Sequence, residues 1–154
     1  MLPNVDDFVM VPTNEVTMKE KSILSLPPIK ALARPTFLPI IGKKTGVTAA
    51  SRFGGRPAML SKNEPWPQCG HCKEPLSFLL QLDIATLPAR PINMPTEGLV
   101  QIFRCDWACD GDWEAFSSTH LCRLISGSDL GKLVLADGSA GAKEFESKEI
   151  TGWK

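Results

Sequence analysis

The chain has 154 residues, with seventeen basic side chains balanced by seventeen acidic ones. That length suits one domain with its own core, and the charge balance argues against a global pull toward nucleic acid or an anionic membrane, leaving only local patches. A hydrophobic share of 43% fits a packed chain rather than a disordered one.

Thirteen prolines and twelve glycines predict many turns and short elements rather than long helices. The first basic residue is Lys19, after Asp6 and Asp7, so no secretory leader is expected. No window approaches eighteen apolar residues, so no membrane span is expected either. The expected compartment is the cytoplasm, where thiols stay reduced. Five cysteines are an odd number, which argues against a fully paired disulfide framework.

Residues 1–44 carry prolines at 3, 12, 27, 28, 35 and 39. They read as an N-terminal arm of short extended pieces, with one short helix near Met18 to Leu24. From residue 45 to 154 the texture is that of a β domain. Val47 to Phe53 reads as a strand ended by Gly54-Gly55, a pair that permits a sharp bend or a close backbone approach. Leu76 to Ile84 is a nearly continuous apolar run between Pro75 and Pro88, which favours a buried strand. Gly98 to Arg104 reads as the next strand. His120 to Ser126 and Lys132 to Ala136 follow, divided by a turn at Gly127-Ser128-Asp129, and a last strand covers Glu149 to Trp153. The fold class expected is mainly β: an antiparallel sheet domain with few short helices.

Cys69-Gly-His-Cys72 precedes one predicted strand, and Cys105-Asp-Trp-Ala-Cys109 follows another. Residues 73–104 lie between the pairs, enough for a strand out and a strand back. If those strands pair antiparallel, both cysteine pairs reach the same end of the hairpin. Four thiolates there would close a tetrahedral, zinc-ribbon-like site for a structural Zn2+. A redox dithiol normally sits at a helix N-terminus, whereas Pro75 and a strand-like run follow here. An iron–sulfur cluster fits the ligand type but has less in its favour. Cys122, in an apolar-flanked strand, reads as a small core residue. His71 and His120 are reserve ligands only, with His71 expected to face solvent beside the metal.

Asp106, Asp110, Asp112 and Glu114 lack the regular pattern of a calcium loop. They read as a solvated acidic loop, with a negative surface for a basic partner as the sharper alternative. Trp66, Trp107 and Trp113 surround the cysteines in sequence, where large rings shield thiolates from water or serve as binding anchors. No nucleophile–base set emerges, so catalysis is not expected.

Ser51-Arg-Phe-Gly-Gly-Arg-Pro57, Trp66-Pro-Gln-Cys-Gly-His-Cys72, Pro75-Leu-Ser-Phe-Leu-Leu-Gln-Leu82, Gly98-Leu-Val-Gln-Ile-Phe-Arg-Cys105 and Cys109-Asp-Gly-Asp-Trp113 together resemble the YwqG-like family. The same order is similar to that of programmed cell death protein 2 and its ribosome-biogenesis relatives. The resemblance covers roughly residues 50–125. It implies a β-rich binding module rather than an enzyme, one that chaperones a partner polypeptide or neutralises it as an immunity protein does. It also implies a metal that supports the fold. Family members commonly run past the segment matching Glu149 to Lys154, so the chain reads either as a short version or as the first half of a longer architecture. In the second case an exposed edge or apolar face would favour self-association. The partner-binding candidates are Trp107, Asp110, Asp112 and Trp113. The rival expectations are a nucleic-acid-associated zinc module in RNA or ribosome biology, with Arg34, Lys43, Lys44, Arg52 and Arg56 as its basic face, and an enzyme of unknown chemistry.

Overall fold

The computed structural model describes residues 35–43, 45–106, 109 and 117–154, and Phe37–Lys154 form one compact unit. Among the described residues eight strands occur in chain order: β1 (Pro39–Gly42), β2 (Arg52–Phe53), β3 (Ala58–Met59), β4 (Ser77–Asp83), β5 (Gly98–Arg104), β6 (His120–Ser126), β7 (Val134–Leu135) and β8 (Lys148–Trp153). Six form one sheet in the order β1-β8-β2-β4-β5-β6, with every neighbour antiparallel. β3 and β7 make a small second sheet. Helix is nearly absent: among the described residues it amounts to two 3-10 segments, Ile84–Thr86 and Gly127–Lys132. None is long and apolar enough to cross a membrane.

The mainly β, antiparallel architecture expected from the sequence is the one observed. β5 and β6 span the residues that the sequence assigns to them, and their side chains alternate between two faces with period two. On the inner face lie Leu99, Phe103 and Ile125, all buried. Between them one cross-strand row is polar: Gln81 faces Gln101, and Gln101 faces Arg123. Both glutamines are fully buried, and a buried amide without partners costs free energy, so their bonds matter.

Those bonds fasten the small sheet to the large one. Gln81 Oε1 accepts from the Ala58 N–H at 3.0 Å and from Gln101 Nε2 at 2.7 Å. Gln101 Nε2 also donates to the Ala58 carbonyl at 2.8 Å. Arg123 Nε donates to Gln101 Oε1 at 2.6 Å, and its guanidinium also pairs with Glu64. β3 is therefore held by side-chain amides crossing from the main sheet, and so a two-residue strand persists there.

Several segments differ from expectation. Val47 to Phe53 is a strand only at Arg52–Phe53. The preceding carbonyls are taken by side chains: Gln81 Nε2 donates to Thr48 O at 3.0 Å and Ala50 O at 2.9 Å, and Arg52 donates to Thr48 O at 2.6 Å. A ladder cannot form where side chains already satisfy the backbone. Lys132 to Ala136 shortens to β7, because the 3-10 segment runs through Lys132. Pro39–Gly42, at the end of the stretch read as an arm, pairs with β8 at the sheet edge, where a proline is tolerated. The helix expected near Met18 to Leu24 lies outside the described residues.

The Gly54-Gly55 bend follows β2. Both residues have positive φ, +57° and +71°. A Cβ on Gly54 would sit 2.5 Å from the Glu146 carbonyl oxygen. Left-handed backbone and close approach together require glycine here.

Candidate metal centre

The register of β4 against β5 pairs Ser77 with Arg104, so the residues before β4 and after β5 emerge at one end of the sheet. Cys69 and Cys72 sit in a tight hairpin leading into β4. Its base is a bridge between Gln68 and Pro75, and Cys69 N–H donates to Glu74 O at 2.8 Å. Lys73 N–H donates back to Cys69 O at 3.0 Å, closing the turn through a left-handed Lys73. The segment before β6 buttresses both pairs: Gly70 N–H donates to Ser118 O at 2.9 Å, and Cys105 N–H donates to Thr119 O at 2.8 Å. A Cβ on Gly70 would meet Ser118 Cβ at 2.6 Å, so that contact requires a residue without one.

The structure brings Cys69, Cys72, Cys105 and Cys109 together, with all four sulfurs within 4.8 Å of one another. Sγ separations are 3.8 Å for Cys69–Cys109, 3.6 Å for Cys72–Cys105 and 3.4 Å for Cys105–Cys109. A tetrahedron of metal–thiolate bonds near ~2.3 Å has edges of about 3.8 Å. A disulfide would need roughly 2.05 Å, and none of the four cysteines is in one. Spacing and donor chemistry both fit a single metal ion, which the four thiols could hold without rearrangement.

The environment is apolar. Cys69 and Cys105 are fully buried in a cluster with Leu76, Phe78 and Phe103, and Trp66, Cys72, Cys109 and Leu121 pack against it. Trp66 stands edge-on to Phe103, with ring centroids 6.1 Å apart, and its Nε1–H donates to Leu76 O at 2.8 Å. Trp66 thus shields the cluster as expected. Trp107 and Trp113 lie outside the described residues.

Cys69 and Cys109 are shifted in opposite directions. Burial pushes Cys69 up, but N–H groups of Cys72 and His71 and thiol neighbours stabilise its thiolate and bring it down to about 7. Cys109 is held far above the ordinary thiol range, first by its hydrogen bond with Cys72, then by burial and by Cys105 and Cys69. One negative charge in the cluster opposes the next, and a bound cation removes that opposition.

The other sulfur and imidazole groups fall elsewhere. His71 is exposed. His120 Nδ1 bonds with Thr119 Oγ1 at 3.0 Å. Cys122 corrects the sequence reading: it is exposed, not in the core. In β6 the inward positions are Leu121, Arg123 and Ile125, which turns Cys122 to the opposite face.

Of the other candidates, Trp107, Asp110, Asp112 and Trp113 lie outside the described residues. Asp106 is 3.7 Å from Lys143 Nζ. Of the basic candidates, Lys43 is exposed. Arg52 is buried opposite Glu149; burial lowers its pKa and Glu149 partly restores it. Arg56 lies 4.0 Å from Glu144. Arg34 and Lys44 lie outside the described residues.

Sequence reasoning missed the outer face of the main sheet. The rows Phe53–Leu80–Ile102–Cys122 and Leu82–Val100–Leu124 are cross-strand neighbours there. Phe53 remains 38% exposed and Leu124 56%. A groove of about 540 Å³ opens on this face between Phe53, Leu79, Leu80, Ile102 and Phe145, with Lys148 at its side. The available signal was the glutamine in the middle of each apolar strand. Once those glutamines point inward, period-two alternation turns their apolar neighbours outward.

No curated protein sequence matches the chain. A family model does, over residues 51–145, well over half of the 154 residues. With strands, glycine bend and cysteine pairs inside or beside that span, the chain belongs to the family described as a domain of unknown function, DUF1963.

Proposed function

We propose that this is a YwqG-like protein-recognition module in which Cys69, Cys72, Cys105 and Cys109 bind one structural zinc ion. Its task is to hold another polypeptide, as a chaperone or as an immunity-type inhibitor does, without chemistry of its own. The observation that carries the reading is the outer sheet face. An apolar surface built from adjacent strands, with a groove in it and polar groups beside it, matches the anatomy of a protein-binding patch. The thiol cluster sits at one end of the same strands β4 and β5, so a metal there fixes the frame on which the face is built. Zinc is the metal best suited to four thiolates in a closed tetrahedral site without redox chemistry. The cytoplasm is the proposed compartment, because closely spaced thiols outside disulfides suit a reducing setting.

Less supports a nucleic-acid module, because Arg52 is buried and Arg56 lies beside Glu144. The test is affinity capture with the metal-loaded chain and a Leu80→Asp variant. The reading expects one protein retained in stoichiometric amount by the parent and lost by the variant, with metal content equal in both. Recovery of salt-sensitive RNA without a protein partner would overturn it.

A further inference from the structure

The outer edge of β6 offers a second, separate surface. Among the described residues no strand lies beyond β6 in the main sheet. All seven of its residues pair with β5 without a register shift, whereas the opposite edge strand, β1, carries an irregularity between Ile40 and Ile41. Cys105 N–H donates to Thr119 O, which fixes the phase of the ladder. By antiparallel alternation, Leu121, Arg123 and Ile125 direct their backbone groups to β5, while Cys122 and Leu124 direct theirs outward. Natural edges are usually blunted by proline, lysine, a bulge or an inward charge. β6 has no proline, lysine or bulge. Its inward charge, Arg123, is already paired with Glu64 and bonded to Gln101 and Ala58 O.

The polarity of the strand is the same read from either end. His120-Leu121-Cys122-Arg123-Leu124-Ile125-Ser126 is polar, apolar, apolar, charged, apolar, apolar, polar. We infer that β6 pairs antiparallel with β6 of a second copy of this chain, about a two-fold axis through Arg123. This inference does not depend on the partner-recognition reading. In that register Cys122 faces Leu124 of the second copy, Leu121 faces Ile125 and His120 faces Ser126, so like polarity meets like in every pair. The outward backbone groups of Cys122 and Leu124 satisfy each other across the axis. The two Arg123 side chains meet on the inner face, each neutralised by its own Glu64. A register centred on Cys122 instead would set Leu121 against Arg123 and His120 against Leu124, which matches worse. The dimer forms one continuous sheet, and the outer apolar faces of the two copies join across the axis.

Sedimentation of the metal-loaded full chain, from low micromolar to near-millimolar concentration, tests the pairing. The parent should show a concentration-dependent dimer. Leu124→Lys, at an exposed position, should weaken association about tenfold or more through like charges beside the axis, with metal content and near-ultraviolet dichroism unchanged. A parent monomeric across the range, or a Leu124→Lys variant that dimerises equally well, would overturn the inference. Mild oxidation tests the register. A thiol introduced by Leu124→Cys should cross-link to Cys122 of the second copy, seen by peptide mass spectrometry. The two native Cys122 residues, diagonal to each other at about 8 Å, lie beyond disulfide reach. A Cys122–Cys122 link in the parent would contradict the Arg123-centred register.

Discussion

Two regions of the inner sheet face bury polar chemistry, and they solve the problem in opposite ways. In the middle, Gln81, Gln101, Arg123 and Glu64 supply one another with donors and acceptors, and they share the Ala58 peptide groups as well. At the end, four thiols converge on one point with apolar rings around them. The first region is complete within the chain. The second has only donors for a cation, because thiols bond weakly to one another and their charges repel. The contrast separates polar burial that serves packing from polar burial that calls for a ligand.

The largest effect should come from breaking the second region. Cys105→Ser is expected to lose the metal and much of the roughly 10 kcal/mol that coordination contributes to folding in small structural sites. Metal analysis after gel filtration, with thermal melting, checks this; full metal content and an unchanged Tm would erase the distinction. Breaking the first region should be milder and metal-independent. Gln101→Leu strips partners from Ala58 O, Gln81 Oε1 and Arg123 Nε, which is expected to cost about 3 kcal/mol. Denaturant unfolding should show that loss while the metal stays bound.

The dependence on pH sharpens the contrast. With metal bound, all four thiols must stay ionised, so affinity falls as pH drops and protons compete. Without metal, the raised Cys109 value works in the opposite direction. A group whose folded pKa is raised favours the folded state below its unfolded value, here about 9, and that contribution is lost as pH rises above it. The lowered Cys69 value adds stability only up to about pH 9, so chelated protein should lose stability above about pH 9 and loaded protein on acidification. Equilibrium unfolding across pH, with and without chelator, distinguishes the two. Identical profiles would contradict the coupling.

Smaller effects follow at the rim. Gly70→Ala drives a methyl into Ser118 and is expected to cost about 1–2 kcal/mol, measurable by melting. His71→Ala removes an exposed side chain and should leave metal content intact, with stability changed by less than about 0.5 kcal/mol.

Much of this was legible in the sequence. Spacing and strand order placed both cysteine pairs at one end of a hairpin, because a local turn and one antiparallel register suffice to bring them there. β5 followed from its β-branched and aromatic residues, and β6 from the turn that bounds it. What the sequence concealed was the direction of the alternation. A glutamine inside a leucine-rich strand reads as the solvent side, and here it is the buried side, because Ala58 offers both a donor and an acceptor across the layer. That partner is some twenty to forty residues distant in the chain, so no local pattern announces it. The same long-range bonds explain why β3 escaped notice and why Val47 to Ala50 is not strand. Cys122 was misplaced for the same reason, since its face depends on where Arg123 points.

The most direct test of the central claim is zinc-edge X-ray absorption on the purified, reduced protein. A four-thiolate zinc centre should give one zinc per chain with four sulfur neighbours near ~2.3 Å and no nitrogen or oxygen in the shell. A shell containing nitrogen or oxygen, or a protein whose purified form holds no zinc and does not take it up, would contradict it.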